Sequence, residues 1–148
     1  MLSITWAFQD NWFKHIDIEE RDKPTSAIGL GRQLLIKDVK EPFRDLDEIV
    51  ANYICPMNDF VTDMMSYKSF FNGDIEEAKP NLLQKHSENP ARVPYVVCFD
   101  KKFPGYFALI WYIKERTSPY KTEYIQVRPN GFKWREQIFM KPNRYISF

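Results

Sequence analysis

The sequence predicts an α+β fold in which small antiparallel sheets are flanked by helices. Apolar and polar residues alternate over residues 2–18, and short apolar runs separated by turns follow Pro90; both patterns indicate strands. Between positions 45 and 89, apolar residues recur at helical spacing instead. The predicted order is therefore hairpin, three helices, strand meander and a short final helix, and this segregation is typical of the α+β class.

The first predicted element is a β-hairpin within residues 2–18. Leu2, Ile4 and Trp6 would share one face of its first strand, and residues 14–18 would form the second strand. A short strand is predicted over residues 33–36.

Two helices are predicted around Pro56. Asp45 and Glu48 have the spacing of a capping box, which marks the start of the first helix. Pro56 is expected to end it, because proline has no amide hydrogen to donate. A second helix is expected to begin near Asn58 and to stop at residues 72–73, an Asn-Gly pair.

A third helix and a meander complete the prediction. The helix lies between Asp74 and Asn89, and Pro80 would either delay its start or kink it. Strands are predicted over residues 95–99, 106–114, 121–128 and 132–139, with turns at 103–105 and 129–131 and an incipient helix at 142–148.

The formal net charge of +1 conceals an uneven distribution. Residues 92–148 carry eleven basic and four acidic side chains, a net +7, whereas residues 1–91 carry ten basic and sixteen acidic ones, a net −6. A basic C-terminal half favours an anionic ligand. Alternatively, the two halves simply attract each other.

Several classes of site and location are not expected. The sequence has no run of about 20 apolar residues and no secretion signal, so we expect a soluble intracellular protein without a membrane partner. Cys55 and Cys98 lack metal-site or disulfide spacing, and the sequence has only two histidines. Residues 29–32, Gly-Leu-Gly-Arg, are too short for a phosphate-cradling loop. No cofactor or metal is expected.

Six segments resemble a known family. They are ITW at 4–6, FKHIDI at 13–18, GLGRQLLI at 29–36, FRDLDEIVANYICPM at 43–57, NPARVPYVVCFDKKFPGYFALIWYI at 89–113 and TEYIQVRPNGFKWREQIF at 122–139. The first four are similar to the first Src homology 2 (SH2) domain, and the last two to the second, of the tandem SH2 module in the Suppressor of Ty six family of transcription elongation factors and histone chaperones.

The resemblance implies a domain organisation and a function. Residues 1–56 would be the C-terminal half of a first SH2 domain, 57–73 a connector helix, and 74–148 a second SH2 domain with a truncated final helix. Such a module is non-enzymatic and acts in the nucleus. It binds the phosphorylated linker or C-terminal region of the largest RNA polymerase II subunit, and we expect it to be a monomer.

Two departures from the family pattern affect the expected phosphate sites. The first domain's phosphate-binding arginine belongs to a strand that would precede residue 1, so we expect the first pocket to be incomplete. In the second domain, Cys98 stands where an ordinary SH2 domain has its buried arginine, and a thiol cannot grip phosphate with paired charged hydrogen bonds. Surface lysines and arginines would then form a shallower site, better matched to phosphoserine or phosphothreonine.

Four candidate phosphopeptide-binding residues follow from the resemblance. His15 would line the first pocket, or would be an ordinary histidine of the polar face. Lys68 would point towards the second pocket, or would be a solvated lysine covering Phe71. Lys101 and Lys102 lie in the loop after the Cys98 strand and would cup a phosphate, although lysine pairs in turns are commonly just solvated.

The remaining candidates are Lys121, Arg128 and Arg135 on the neighbouring strands and turn. Alternation would place Arg135 on the same face as Lys133, giving either an anion-binding face or the solvated side of a half-covered sheet.

Two rival functions remain open, and catalysis is not supported. Single-stranded nucleic acid could bind the basic half and stack on Trp134, Tyr120 and Tyr124. Alternatively, the chain is a structural interaction domain with vestigial pockets. Nothing local would lower the pKa of the Cys98 thiol or pair it with a histidine base, so we do not expect an enzyme.

Overall fold

The computed structural model describes residues 2–9, 12–22, 33–114 and 117–146, and the Gly-Leu-Gly-Arg segment at 29–32 lies outside them. The strands are β1 (Leu2–Gln9), β2 (Trp12–Arg21), β3 (Gln33–Leu35), β4 (Tyr95–Phe99), β5 (Tyr106–Tyr112), β6 (Tyr120–Arg128), β7 (Gly131–Trp134) and β8 (Gln137–Phe139). The helices are α1 (Leu46–Ile49), a π-helical segment (Val50–Ile54), α2 (Cys55–Met65), α3 (Ile75–Glu88) and α4 (Pro142–Tyr145). Within these ranges, no helix is long and apolar enough to cross a membrane.

The predicted hairpin is confirmed as β1 and β2, which pair antiparallel with Leu2 opposite Ile18. Alternation buries Trp6 and Ile16 and leaves Thr5 and His15 on the exposed face. β2 continues to Arg21, because its last residues pair with β3 and complete a three-stranded sheet.

The prediction that Pro56 ends a helix is wrong. The Asp45 carboxylate accepts a hydrogen bond from the Glu48 amide at 2.8 Å, so the predicted cap is confirmed. From there the chain stays helical over residues 46–65, with Pro56 in the first turn of α2. The five residues before α2 form the π-helical segment, whose wider turn accommodates the proline ring and the missing N–H donor.

The helix also ends earlier than predicted, at Met65 rather than at residues 72–73. Both the amide and the hydroxyl of Ser66 donate to the Thr62 carbonyl at 3.1 Å, which closes the last turn. The chain then pairs with the edge of β4, where the Phe71 amide donates to the Val97 carbonyl at 2.8 Å. This pairing requires extended backbone and is incompatible with a longer helix.

The third predicted helix is confirmed as α3, and Pro80 does not delay its start. The Asp74 carboxylate caps the helix by accepting from the Glu77 amide at 3.0 Å, and Pro80 lies inside the helix. Asp74 and the acidic side chains of Glu76 and Glu77 lie at the positive end of the helix dipole.

The C-terminal sheet is an antiparallel meander of five strands in the order β4 to β8. The prediction of one strand over residues 132–139 is wrong, because a turn at Arg135 and Glu136 separates β7 from β8. Both turn residues have positive φ, 52° and 64°, as in the type I′ turns of tight hairpins.

The five-stranded sheet is buried on both faces. α3 covers one face, where Leu82 packs among apolar residues of β4 and β5, including Cys98. The other face joins α2 and the N-terminal hairpin in a larger core, in which the Trp12 ring lies 4.8 Å from the Phe99 ring. Residues from both halves of the chain therefore share one core.

Candidate functional site

Cys98 lies in the middle of β4 and is fully buried against α3. Burial raises the pKa of its thiol to about 12, and the negative charges of Asp100, Asp74 and Glu77 add to this shift. The thiol is therefore neutral at physiological pH, and its surroundings disfavour a second negative charge.

Asp100 follows β4 directly and is the buried charged residue of this region. Its carboxylate accepts a hydrogen bond from the Tyr124 hydroxyl at 2.6 Å and from the Lys102 amide at 3.0 Å. Burial and this bond raise the pKa of Tyr124 to about 12. The turn therefore holds the protein's own carboxylate, while the side chains of Lys101 and Lys102 are exposed.

A groove of about 400 Å³ opens at the other end of β4. It is lined by the residues after α2, the end of α3, the loop into β4 and the α4 region: Tyr67, Lys68, Ser69, Lys85, Asn89, Arg92, Val93, Pro94, Tyr95, Asn143 and Ile146. We call this cavity the basic groove. Four separate chain segments form it, so its composition depends on the tertiary fold.

Two tyrosines and a backbone carbonyl fix the wall of the basic groove. The hydroxyl oxygens of Tyr67 and Tyr95 lie 2.7 Å apart, and the Ile146 carbonyl oxygen is 3.1 Å and 3.3 Å from them. Burial raises the pKa of Tyr67, and the hydrogen bond with Tyr95 adds to the shift. The raised pKa keeps the Tyr67 hydroxyl neutral at physiological pH.

The charge of the basic groove comes from Lys68, Lys85 and Arg92. The described lining contains no carboxylate, and none of these three cations forms a described ion pair. Burial lowers the pKa of Lys85, and electrostatic interactions with Tyr95 and Glu88 oppose this shift only in part. An anion entering the groove would therefore stabilise the charged form of Lys85.

A second cavity of about 410 Å³ adjoins the basic groove and shares Tyr67, Lys68 and Asn143 with it. It adds Lys141 as a fourth cation and Asp63 as an acidic group on its wall. Lys68 is therefore the cation common to both cavities.

The structure separates the predicted second-pocket residues instead of bringing them together. Lys68 lines the basic groove, whereas Lys101 and Lys102 lie at the opposite end of β4, about 15 Å away along the strand. Lys121 pairs with Trp111, and Trp111 pairs with Tyr95. Lys121 therefore lies on the same face of the sheet as Tyr95 and two strands away from it, at about 10 Å.

Arg128 and Arg135 are engaged elsewhere. Arg128 donates to the backbone carbonyl of Asp38 at 3.1 Å and so links β6 to the N-terminal half. Arg135 forms a bidentate pair with Glu123 at 2.6 and 2.8 Å and lies over the Trp134 ring at 4.6 Å. The expectation that alternation places Arg135 beside Lys133 on a strand face is wrong, because Arg135 belongs to a turn with positive φ.

His15 lies on the exposed face of the N-terminal hairpin, as alternation predicts. Its Nδ1 is 2.8 Å from the Thr5 hydroxyl on the neighbouring strand. Its role in a first phosphate pocket stays a prediction, as do the phosphate contacts of the other candidates.

Sequence reasoning missed Lys85, Arg92 and Lys141. Arg92 begins the basic half of the chain, and Lys85 lies in the last turn of α3. These positions indicate that both residues could bind an anion. Only the packing of α3, the loop and α4 around Tyr95 shows that the side chains converge.

Comparisons with known proteins agree with the observed fold. Residues 1–148 match a family model described as SH2 domain. The chain is 34% identical over 154 residues to the transcription elongation factor SPT6 of Drosophila melanogaster, covering 99% of this chain and 8% of that protein. It is 32% identical over 151 residues to the SPT6 homolog of Arabidopsis thaliana, covering 99% of this chain and 9% of that protein. The chain thus spans less than a tenth of the length of these relatives.

Two solved structures share the fold. One is a tandem SH2 domain of transcription elongation factor Spt6 that binds the phosphorylated RNA polymerase II C-terminal repeat domain; the TM-score is 0.79 at 23% identity, over 94% of this chain and 69% of that one. The other comprises the tandem SH2 domains of Spt6 from Antonospora locustae, with a TM-score of 0.75 at 20% identity, over 97% and 70%. The predicted α+β, tandem SH2-like fold and the predicted resemblance are confirmed, and because the family model matches the whole chain, this protein belongs to the SH2 domain family.

Proposed function

We propose that this chain is a non-catalytic phosphopeptide-binding module and that the basic groove holds a phosphoserine or phosphothreonine. The observation that carries the proposal is the convergence of Lys68, Lys85 and Arg92 on a groove whose described lining has no acidic side chain. Charged hydrogen bonds from several such cations can hold a phosphate without a deeply buried arginine.

The environment of Cys98 supports this location over the ordinary SH2 pocket. A phosphate brought next to Cys98 would meet the carboxylates of Asp100, Asp74 and Glu77, which already raise the pKa of the thiol. Three carboxylates therefore lie near Cys98, whereas the described lining of the basic groove has none, and the anion belongs at the end of β4 that starts with Tyr95.

The family resemblance supports the identity of the ligand. We infer that residues 1–56 and 74–148 correspond to successive SH2 domains joined through 57–73, and that the module belongs to a nuclear transcription elongation factor. Its ligand would be the phosphorylated linker or C-terminal region of the largest RNA polymerase II subunit, in keeping with the similarity to SPT6 proteins. Contacts in both halves would raise the affinity of two weak sites through effective concentration.

Isothermal titration with phosphorylated and unphosphorylated forms of one linker peptide tests the proposal. We expect binding of the phosphorylated form and at least a tenfold weaker affinity for the other, since each charged hydrogen bond contributes about 1.5–3 kcal/mol. Equal affinities would refute it, and no binding by either peptide would favour a structural domain with vestigial pockets.

A salt series separates this function from nucleic-acid binding. A single-stranded RNA ligand would lose affinity steeply with salt and would be indifferent to phosphoamino acids. The aromatic residues that such a ligand would stack on already contact other side chains: Tyr120 packs on Tyr112, Tyr124 on Phe103, and Trp134 beneath Arg135. This arrangement favours the phosphopeptide.

A further inference from the structure

A third cavity, of about 360 Å³, lies on the far side of the loop that forms one wall of the basic groove. It is lined by His86 of α3, the loop residues Pro90, Ala91, Arg92 and Val93, and Tyr112, Ile113 and Lys114 at the end of β5. We call it the lateral pocket. Arg92 and Val93 line both cavities, so the loop is a ridge between them.

The lateral pocket has the charge pattern of an anion site. Arg92, Lys114 and His86 contribute to its described lining, which includes no carboxylate. The His86 ring packs on Tyr112 with ring centres 5.2 Å apart, and its buried Nδ1 has no hydrogen-bond partner among the described residues. No carboxylate in this lining offsets the positive charge.

The geometry points to a second anion-binding subsite: we propose that the lateral pocket takes an acidic or phosphorylated side chain of the same peptide whose phosphoserine occupies the basic groove. This inference rests on the proposed function. Arg92 on the ridge would contact both anions, and the exposed Val93 beside it would pack against an apolar residue between them.

The fold sets the spacing of the two anions. The Tyr112 amide donates to the Pro94 carbonyl at 3.2 Å, so the end of β5 runs beside the ridge as a neighbouring strand would. Groups on opposite sides of one extended segment are about two strand spacings apart, roughly 10 Å. An extended peptide rises about 3.3 Å per residue, so the second anion should lie about three residues from the phosphoserine.

The test uses peptides that carry one phosphoserine and either glutamate or glutamine about three residues before or after it. Binding to this chain is measured by fluorescence anisotropy. For the favourable orientation, we expect the glutamate peptide to bind about threefold to fivefold more tightly than its glutamine counterpart, and a second phosphoserine to increase this gain.

Two variants locate the effect. Lys114→Gln should abolish the gain and leave the affinity for the glutamine peptide unchanged, because Lys114 lines the lateral pocket and not the basic groove. Lys102→Gln removes the same charge at the other end of β4 and should preserve the gain.

The outcomes separate this inference from the proposed function. If both peptides bind equally in both orientations, or if Lys114→Gln keeps the gain, the lateral subsite is refuted while the basic groove stands. If neither phosphopeptide binds, both proposals fail. Preferential displacement of the peptide by a single-stranded RNA oligonucleotide of equal charge would also overturn the subsite, because it would show a nucleic-acid surface.

Discussion

Replacing Lys68 with glutamine should weaken phosphopeptide binding more than any other single lysine substitution in this chain. Lys68 lines both the basic groove and the adjoining cavity that contains Lys141. Glutamine keeps most of the side-chain length and removes the charge. Because the side chain is exposed, its loss should leave the fold intact.

The expected magnitude follows from the charge and exposure of Lys68. A hydrogen bond to a charged group contributes about 1.5–3 kcal/mol, which corresponds to about 10-fold to 150-fold in Kd. Exposure to solvent and the neighbouring cations Lys85 and Arg92 place the expected loss at the lower end, near tenfold. Lys101→Gln, at the opposite end of β4, should change Kd by less than about twofold.

Fluorescence anisotropy with one labelled phosphoserine peptide at fixed salt measures the Kd of the unmodified chain, of Lys68→Gln and of Lys101→Gln. Thermal unfolding of each variant checks that the fold is retained. The reasoning is refuted if Lys101→Gln loses as much affinity as Lys68→Gln. It is also refuted if Lys68→Gln binds within twofold of the unmodified chain.

Four further predictions concern buried groups. At pH 8, iodoacetamide followed by mass spectrometry should show Cys55 alkylated and Cys98 protected until urea is added; native labelling of both would contradict the burial of Cys98. Because the Cys98 pKa is raised to about 12, urea midpoints should fall as the pH rises from about 9 towards 12, and less so in Cys98→Ala. Asn58→Ala removes the side-chain oxygen that accepts a hydrogen bond from the Trp6 indole N–H at 2.6 Å. This change should lower the free energy of unfolding by about 1–3 kcal/mol in urea titrations. A loss below about 0.5 kcal/mol would mean that water replaces the Asn58 acceptor. Leu82→Ala truncates a buried side chain on the face of α3 that packs on the sheet, and it should lower the free energy of unfolding by about 2–5 kcal/mol. Leu83→Ala, on the exposed side of the same helix, should change the free energy of unfolding by less than about 1 kcal/mol.

The sequence was sufficient for elements whose signals are local. β4 was predicted with its observed bounds, because a compact apolar run between Pro94 and Asp100 is a local signal. The hairpin and the Asp45 cap follow from alternation and residue spacing in the same way. Such patterns need no information from the rest of the chain.

Predictions failed where a local rule had a tertiary or geometric exception. Pro56 forbids one α-helical hydrogen bond, but a π-helical segment absorbs the irregularity and the helix continues. Arg135 and Glu136 form a tight turn without glycine or asparagine, so no turn signal interrupted the apparent strand. The basic groove combines Lys85 and Arg92 with residues far away in sequence, and periodicity carries no information about that convergence.

The aromatic packing that joins Trp12 to Phe99 affects how the chain unfolds and which peptide lengths it can bind. Since both halves contribute to one large core, a calorimetric scan should show a single endotherm, with neither half melting first. Relative rotation of the halves would require breaking these ring contacts. A peptide that touches both halves therefore meets docking points at an invariant distance, and its affinity should peak sharply at one linker length.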